Sequence, residues 1–162
     1  MRLFIAIASD KEIETALISM QDSLRRQGMR GNFTRPENLH LTLAFMGDYD
    51  DPDYVLDTMQ SVPFRPFTLS LDGYGNFGDL WWAGIKKSDA LMSYVRRLRH
   101  ALADAGIPFD RKKFSPHITL VRKASFIVRP ALAVPATQMT ASRISLFRSD
   151  RGKNGMIYTE IR

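Results

Sequence analysis

The chain contains no cysteine, which excludes a disulfide framework and thiolate metal sites and agrees with a reducing compartment. Long apolar runs are missing too: no stretch approaches the roughly 20 residues that a membrane-spanning helix requires. The opening run Met1 to Ala8 is too short for a secretory signal, and Asp10, Lys11 and Glu12 follow at once. A soluble, cytoplasmic protein with no membrane contact is the expectation. No Pro/Gly/Ser-rich linker interrupts the chain, so residues 1–162 read as a single domain, close to the common size of about 100–150 residues. A chain of this length should bury roughly 70% of its unfolded surface, enough for a core without covalent staples.

Charge of one sign is scarce in each half. Residues 1–81 carry 7 Lys and Arg against 12 Asp and Glu, whereas residues 82–162 carry 16 against 5. A basic half suits a polyanionic partner such as RNA, although a solvated basic surface would have the same composition.

The periodicity gives an alternation of strands and helices. Leu3 to Ala8 reads as a buried strand. Ser9-x-x-Glu12 forms a capping box ahead of Ile13, Leu17, Met20 and Leu24 at helical spacing, with Gly28 as the stop. Ser88 or Asp89 caps a second helix with Leu91, Val95, Leu98 and Leu102 as its stripe, ended by Gly106 and Pro108. A shorter helix covers Pro52 to Gln60. Further strands are expected at 38–45, 67–72, 80–85, 116–122, 139–148 and 156–161, with a hairpin loop over 150–155. This order argues α/β or α+β, and the short links favour antiparallel sheets.

Histidine is the scarcest polar residue of interest, with three in the chain. Two of them stand in matching frames: His40-Leu41-Thr42-Leu43 recurs 77 positions later as His117-Ile118-Thr119-Leu120. Alternate side chains of a strand share a face, so His40 points with Thr42 and His117 with Thr119. If the two strands face a common cleft, two imidazoles and two hydroxyls converge. Hydroxyls can donate to the non-bridging oxygens of a phosphate diester. One imidazole can activate a nucleophile and the other protonate a leaving oxygen. A metal centre is not expected, since two histidines lack a third ligand at useful spacing. His100 lies off the apolar stripe of its helix and reads as an exposed bystander.

Two other patterns carry less. Gly73-x-Gly75-x-x-Gly78 matches a dinucleotide-binding fingerprint, but the strand-like segment 79–85 follows where a helix is required. Asp48, Asp50, Asp51 and Asp53 lack the glycine and terminal glutamate of a calcium loop and read as a solvated turn. Arg111, Lys112 and Lys113 precede the second histidine frame, and Arg122 and Lys123 follow it. Strict alternation turns Arg122 away from His117 unless the strand bends there.

His40-Leu41-Thr42-Leu43-Ala44-Phe45-Met46-Gly47 and Ser115-Pro116-His117-Ile118-Thr119-Leu120-Val121-Arg122 resemble the two signatures of the two-histidine (2H) phosphoesterase superfamily. Within it the chain is similar to the bacterial and archaeal RNA 2′,3′-cyclic phosphodiesterases, also called 2′-5′ RNA ligases. Arg2 to Ile7, Pro36-Glu37-Asn38-Leu39 and Trp82-Ala83-Gly84-Ile85 fit that branch as well. The resemblance implies an α+β, bilobal fold with two pseudo-symmetric antiparallel sheets, outer helices and a central cleft. It implies hydrolysis of an RNA 2′,3′-cyclic phosphate to a 2′-phosphate without metal or cofactor.

On that reading His40 is the proton donor and His117 the proton acceptor. Thr42, Thr119 and Arg122 bind the substrate phosphate, the family's closing arginine falling on Arg122. Phe45 and Phe33 flank the first frame as candidates for stacking on a base. Arg111, Lys112 and Lys113 receive no individual roles. The partner is RNA or a nucleotide with a 2′,3′-cyclic end, and a monomer is the expectation. The alternatives are 2′-5′ ligation as the main activity, or an RNA-binding module without catalysis.

Overall fold

The computed structural model describes all 162 residues. In chain order its elements are β1 (Arg2–Ala8), α1 (Lys11–Arg26), β2 (Arg30–Phe33), a 3₁₀ turn (Pro36–Asn38), β3 (His40–Asp48), α2 (Pro52–Gln60), β4 (Phe67–Phe77), β5 (Leu80–Ile85), α3 (Asp89–Asp104), β6 (His117–Ser125), β7 (Gln138–Ala141), β8 (Ser145–Gly152) and β9 (Gly155–Glu160). Two sheets result, ordered β3-β1-β8-β9 and β2-β6-β5-β4-β7, and every pairing is antiparallel. This is the expected α+β architecture. No helix is long and apolar enough to cross a membrane.

The halves exchange parts. The chain leaves the four-stranded sheet by β1, packs α1 against β6 and β7, adds β2 to the edge of β6, and returns as β3. It leaves the five-stranded sheet by β5 and lays α3 beside β3 and β4. The Asp110 amide then donates to the Phe45 carbonyl of β3 at 2.8 Å before the chain returns as β6. Leu3, Ile5 and Ile7 of β1 and Trp81, Ala83 and Ile118 of the other sheet consequently share one buried cluster. Each of the leucine and isoleucine side chains among them contributes about 1.5–3 kcal/mol by burial.

The two long helices repeat each other. Asp10 caps α1 by accepting from the Ile13 amide, and Ser88 caps α3 by accepting from the Leu91 amide. Ile13, Leu17, Met20 and Leu24 match Leu91, Val95, Leu98 and Leu102 at one constant interval of 78 residues. Gly28 and Gly106, also 78 apart, both take positive φ just beyond the helix ends. The predicted Ser9 cap is corrected by one residue. The Ser9 amide is held by the Leu39 carbonyl, which keeps Ser9 extended, and Asp10 takes the capping position.

Other departures have tertiary causes. β2 carries no alternating pattern and exists by pairing with β6. The expected strand over 139–148 is broken at 142–144, so that β7 and β8 serve different sheets. Gly73 and Gly75 lie inside β4, and Gly78 sits at the tip of the β4–β5 hairpin, with no helix following. A side chain at Gly75 would meet the Trp82 ring at 2.5 Å, so this glycine makes room for an indole rather than a cofactor. Of the aspartates, Asp51 caps α2 and Asp50 meets the N-terminal ammonium.

Candidate active site

β3 and β6 each place their histidine and threonine on one face. Across β1, Ala8 stands opposite His40, Ala6 opposite Thr42 and Phe4 opposite Phe45, so these three β3 residues face the same way. Across β5, Gly84 stands opposite His117 and Trp82 opposite Thr119. Both histidines and both threonines are half-buried, while Leu41, Leu43, Ile118 and Leu120 are fully buried on the other face.

Each strand then carries an extra residue where its frame ends. Ile5 pairs with Ala44 and Ala6 with Thr42, leaving Leu43 unpaired; Trp81 pairs with Val121 and Trp82 with Thr119, leaving Leu120 unpaired. These are β-bulges at the fourth residue of each histidine frame, and a bulge reverses the alternation beyond it. Ala44 and Val121 are accordingly buried, while Phe45 and Arg122 turn to the face of the histidines. The alternation argument against Arg122 is thereby corrected, and Phe45, which strict alternation would turn to the core, stands on the face of His40. Phe33 goes the other way: it stands opposite buried Val121, with the Arg25 guanidinium 4.2 Å over its ring. It packs toward α1, on the side away from Asn32 and Arg122. Asn32, opposite Arg122, takes the cleft side instead.

The imidazoles are oriented alike. His40 donates through Nδ1 to the Asn38 carbonyl at 2.6 Å, and His117 donates through Nδ1 to the Ser115 carbonyl at 2.5 Å. A carbonyl only accepts, so the proton belongs on Nδ1 of each neutral ring and Nε2 is left for chemistry. Thr42 Oγ1 lies 2.8 Å from His40 Nε2, donating to it when the ring is neutral. Asn38 is itself anchored, its side-chain amide donating to the Met156 carbonyl at 2.9 Å.

The two rings sit in different surroundings. His40 packs between Phe4, at 4.9 Å, and the edge-on ring of Tyr158, at 5.2 Å. His117 meets Phe77 edge-on at 5.3 Å and Trp82 at 5.9 Å, and Phe77 is half exposed. Burial pushes the His40 pKa below its ordinary value; the Asn38 carbonyl works against that, and the positive charges of Arg122 and then His117 reinforce it. β3 and β6, which carry the two histidines, lie against each other.

Sequence reasoning missed Phe4, Phe77, Tyr158 and Asn38. Asn38 and Phe4 carried a signal, as parts of the stretches 36–39 and 2–7 that fit the family. No group of three or more His, Asp or Glu side chains converges in the structure. His100 is exposed and pairs with Asp104 at 3.2 Å. Arg111 lies over Phe109 at 4.7 Å, and Arg111, Lys112 and Lys113 are exposed.

The model of the family described as LigT-like phosphoesterase matches residues 7–80 and 84–158. The chain is 27% identical to the RNA 2′,3′-cyclic phosphodiesterase of Thermotoga maritima, over 98% of this chain and 91% of that one. It is 30% identical to the protein of the same name from Thermus thermophilus, over 98% and 87%. Among solved structures, E. coli LigT complexed with 3′-AMP superposes with a TM-score of 0.84 at 27% identity, covering 99% of this chain and 95% of that one. With the family model matching both halves of the chain, each including one histidine frame, the protein belongs to the LigT-like phosphoesterase family.

Proposed function

We propose that this protein is an RNA 2′,3′-cyclic phosphodiesterase that opens a terminal 2′,3′-cyclic phosphate to a 2′-phosphate. The observation that supports this reading is the matched pair of Nδ1-anchored histidines, each sharing its strand face with a threonine, with Arg122 on the face of His117. In the step, His117 Nε2 takes a proton from water as its oxygen attacks phosphorus. The P–O3′ bond breaks, and His40 Nε2 delivers a proton to O3′. One water is consumed, and a 2′-phosphomonoester with a free 3′-hydroxyl results. Thr42, Thr119 and Arg122 donate to the phosphate oxygens as charge develops there. Phe45 and the exposed Phe77 offer ring faces for the terminal base.

The depressed pKa of His40 describes the unliganded protein. A phosphate anion arriving between His40, His117 and Arg122 reverses the local charge and favours a proton on His40, so that substrate supplies the condition its own leaving group needs. The test is mass analysis of the product from a nucleoside 2′,3′-cyclic phosphate. A 2′-phosphate formed equally well in EDTA supports the reading. A 3′-phosphate product, RNA binding without turnover, or joining of RNA ends without hydrolysis overturns it.

A further inference from the structure

The bulges at Leu43 and Leu120 are each held by one polar side chain reaching across from the other half of the chain. Gln21 on α1 is 2% exposed. Its Nε2 donates to the Leu120 carbonyl at 2.9 Å and to the Thr34 carbonyl at 2.8 Å. Arg99 on α3 donates through Nε to the Leu43 carbonyl at 3.0 Å and through Nη1 to the Lys112 carbonyl at 2.8 Å.

Gln21 and Arg99 are separated by the same 78 residues that relate the helix stripes and caps. In both, the nitrogen that meets the bulge carbonyl is bonded to Cδ, so the two side chains present a donor at the same reach. Both also bridge to the segment that crosses between sheets, Thr34 ahead of β3 and Lys112 ahead of β6. The devices match in position, target and topology, although one residue is neutral and the other charged.

A bulge without such a partner can slip by one residue. Slippage here would return Arg122 and Phe45 to the core face and bring Val121 and Ala44 to the cleft. We propose that Gln21 and Arg99 are positioning residues that lock the two motif bulges, each from the helix of one half onto the histidine strand of the other. Gln21 thereby holds Arg122 on the substrate phosphate, and Arg99 holds Phe45 on the cleft. The catalytic consequence rests on the activity proposed above; the locking itself does not.

The experiment combines amide hydrogen exchange with turnover of a nucleoside 2′,3′-cyclic phosphate in Gln21→Met, Arg99→Met and Arg99→Gln. Gln21→Met should speed exchange in His117–Ser125 and leave His40–Asp48 unchanged, and Arg99→Met should do the reverse. Gln21→Met should lower kcat/KM about 10-fold, since a displacement near 1 Å in a binding group costs up to about 100-fold. In an Arg122→Ala background that loss should shrink to within about 2-fold, because coupled groups are not additive. Arg99→Gln keeps a donor on Cδ and should recover most of what Arg99→Met loses.

A uniform rise in exchange throughout both strands would overturn the locking role. An equal Gln21→Met loss with and without Arg122, or Arg99→Gln as poor as Arg99→Met, would overturn the positioning role. If the wild-type protein turns over no cyclic phosphate, the proposed function fails, while the crossed exchange pattern still decides the locking.

Discussion

Phe45 and Arg122 occupy one position of a repeated scaffold: each stands five residues beyond its histidine, and each is turned to the face of that histidine by a bulge at the fourth residue of its frame. The backbone is therefore pseudo-symmetric while the chemistry is not. One half presents a guanidinium and the other an aromatic ring, with the Arg2 guanidinium 5.2 Å from its centroid. Loss of the two side chains should then have different kinetic signatures. Arg122→Ala should lower kcat/KM by about 10²–10³-fold, the usual range for one preorganised donor at a developing anion. Phe45→Ala should act on KM, by about 1–3 kcal/mol if a base stacks on it. A Phe45→Ala protein with unchanged KM for adenosine and cytidine 2′,3′-cyclic phosphates would remove that residue from the binding site.

The division of labour between the histidines is open to a leaving-group test. His40→Ala and His117→Ala should each cost about 10²–10⁴-fold with the normal substrate. A substrate whose 3′ bridging oxygen is replaced by sulfur needs no proton on its leaving group. It should restore much of the rate in His40→Ala and little in His117→Ala. Restoration in the opposite variant would exchange the two roles.

Burial, reinforced by the charges of Arg122 and His117, holds His40 below its ordinary value of 6.5 in the free protein. Its imidazole resonances should therefore titrate below pH 6.5, and a bound 2′-nucleotide should move the midpoint upward. Folding stability follows the same sign: His40 binds fewer protons folded than unfolded, so its contribution is present above pH 6.5 and is lost as the pH falls through that value. A free-protein midpoint at or above 6.5 by NMR would contradict both statements.

Asn38 joins two functions in one residue, since its carbonyl orients His40 and its side chain ties that carbonyl to Met156. Asn38→Ala should leave the Met156 carbonyl without this donor, costing about 1–3 kcal/mol, and should reduce kcat more than KM. Ser115→Ala is the control, because His117 uses only the Ser115 backbone carbonyl. Equal kinetic losses in the two variants would show that the side-chain tie has no part in catalysis.

Beyond Arg122 the strand is strained. Lys123 is the one non-glycine residue with positive φ, at 53°. Opposite it, Gly31 has no room for a side chain, whose Cβ would lie 2.8 Å from Val121 and 2.9 Å from the Arg122 carbonyl. Lys123→Gly should relieve about 1–2 kcal/mol of left-handed backbone cost, visible as a rise in Tm by thermal denaturation. Gly31→Ala should lower both Tm and kcat/KM by pushing on the segment that carries Arg122. A lower Tm for Lys123→Gly would show that its side chain compensates the strain.

Much of the molecule was legible in its sequence because the signals are local. The helix stripes, their glycine stops and the Pro52 helix follow from spacing and backbone freedom alone. The repeated His-x-Thr-Leu frame announces two equivalent strands, and strand parity places each histidine with its threonine. Those inferences need only one residue and its near neighbours.

What the tertiary structure decided is everything that depends on a partner strand. Parity fails at Leu43 and Leu120, since a bulge exists only relative to the strand it faces, and no pattern within β3 or β6 records it. The fates of Arg122, Phe45 and Phe33 turn on that single extra residue. The same holds for β2, which has no amphipathic pattern and is created by the edge of β6. The histidine acceptors at Asn38 and Ser115 are backbone carbonyls, invisible to any reading of side-chain types. Sequence determined which groups the proposed chemistry calls on, because composition and spacing are local; tertiary packing decided which way they point, because orientation in a sheet is set by register against a neighbour.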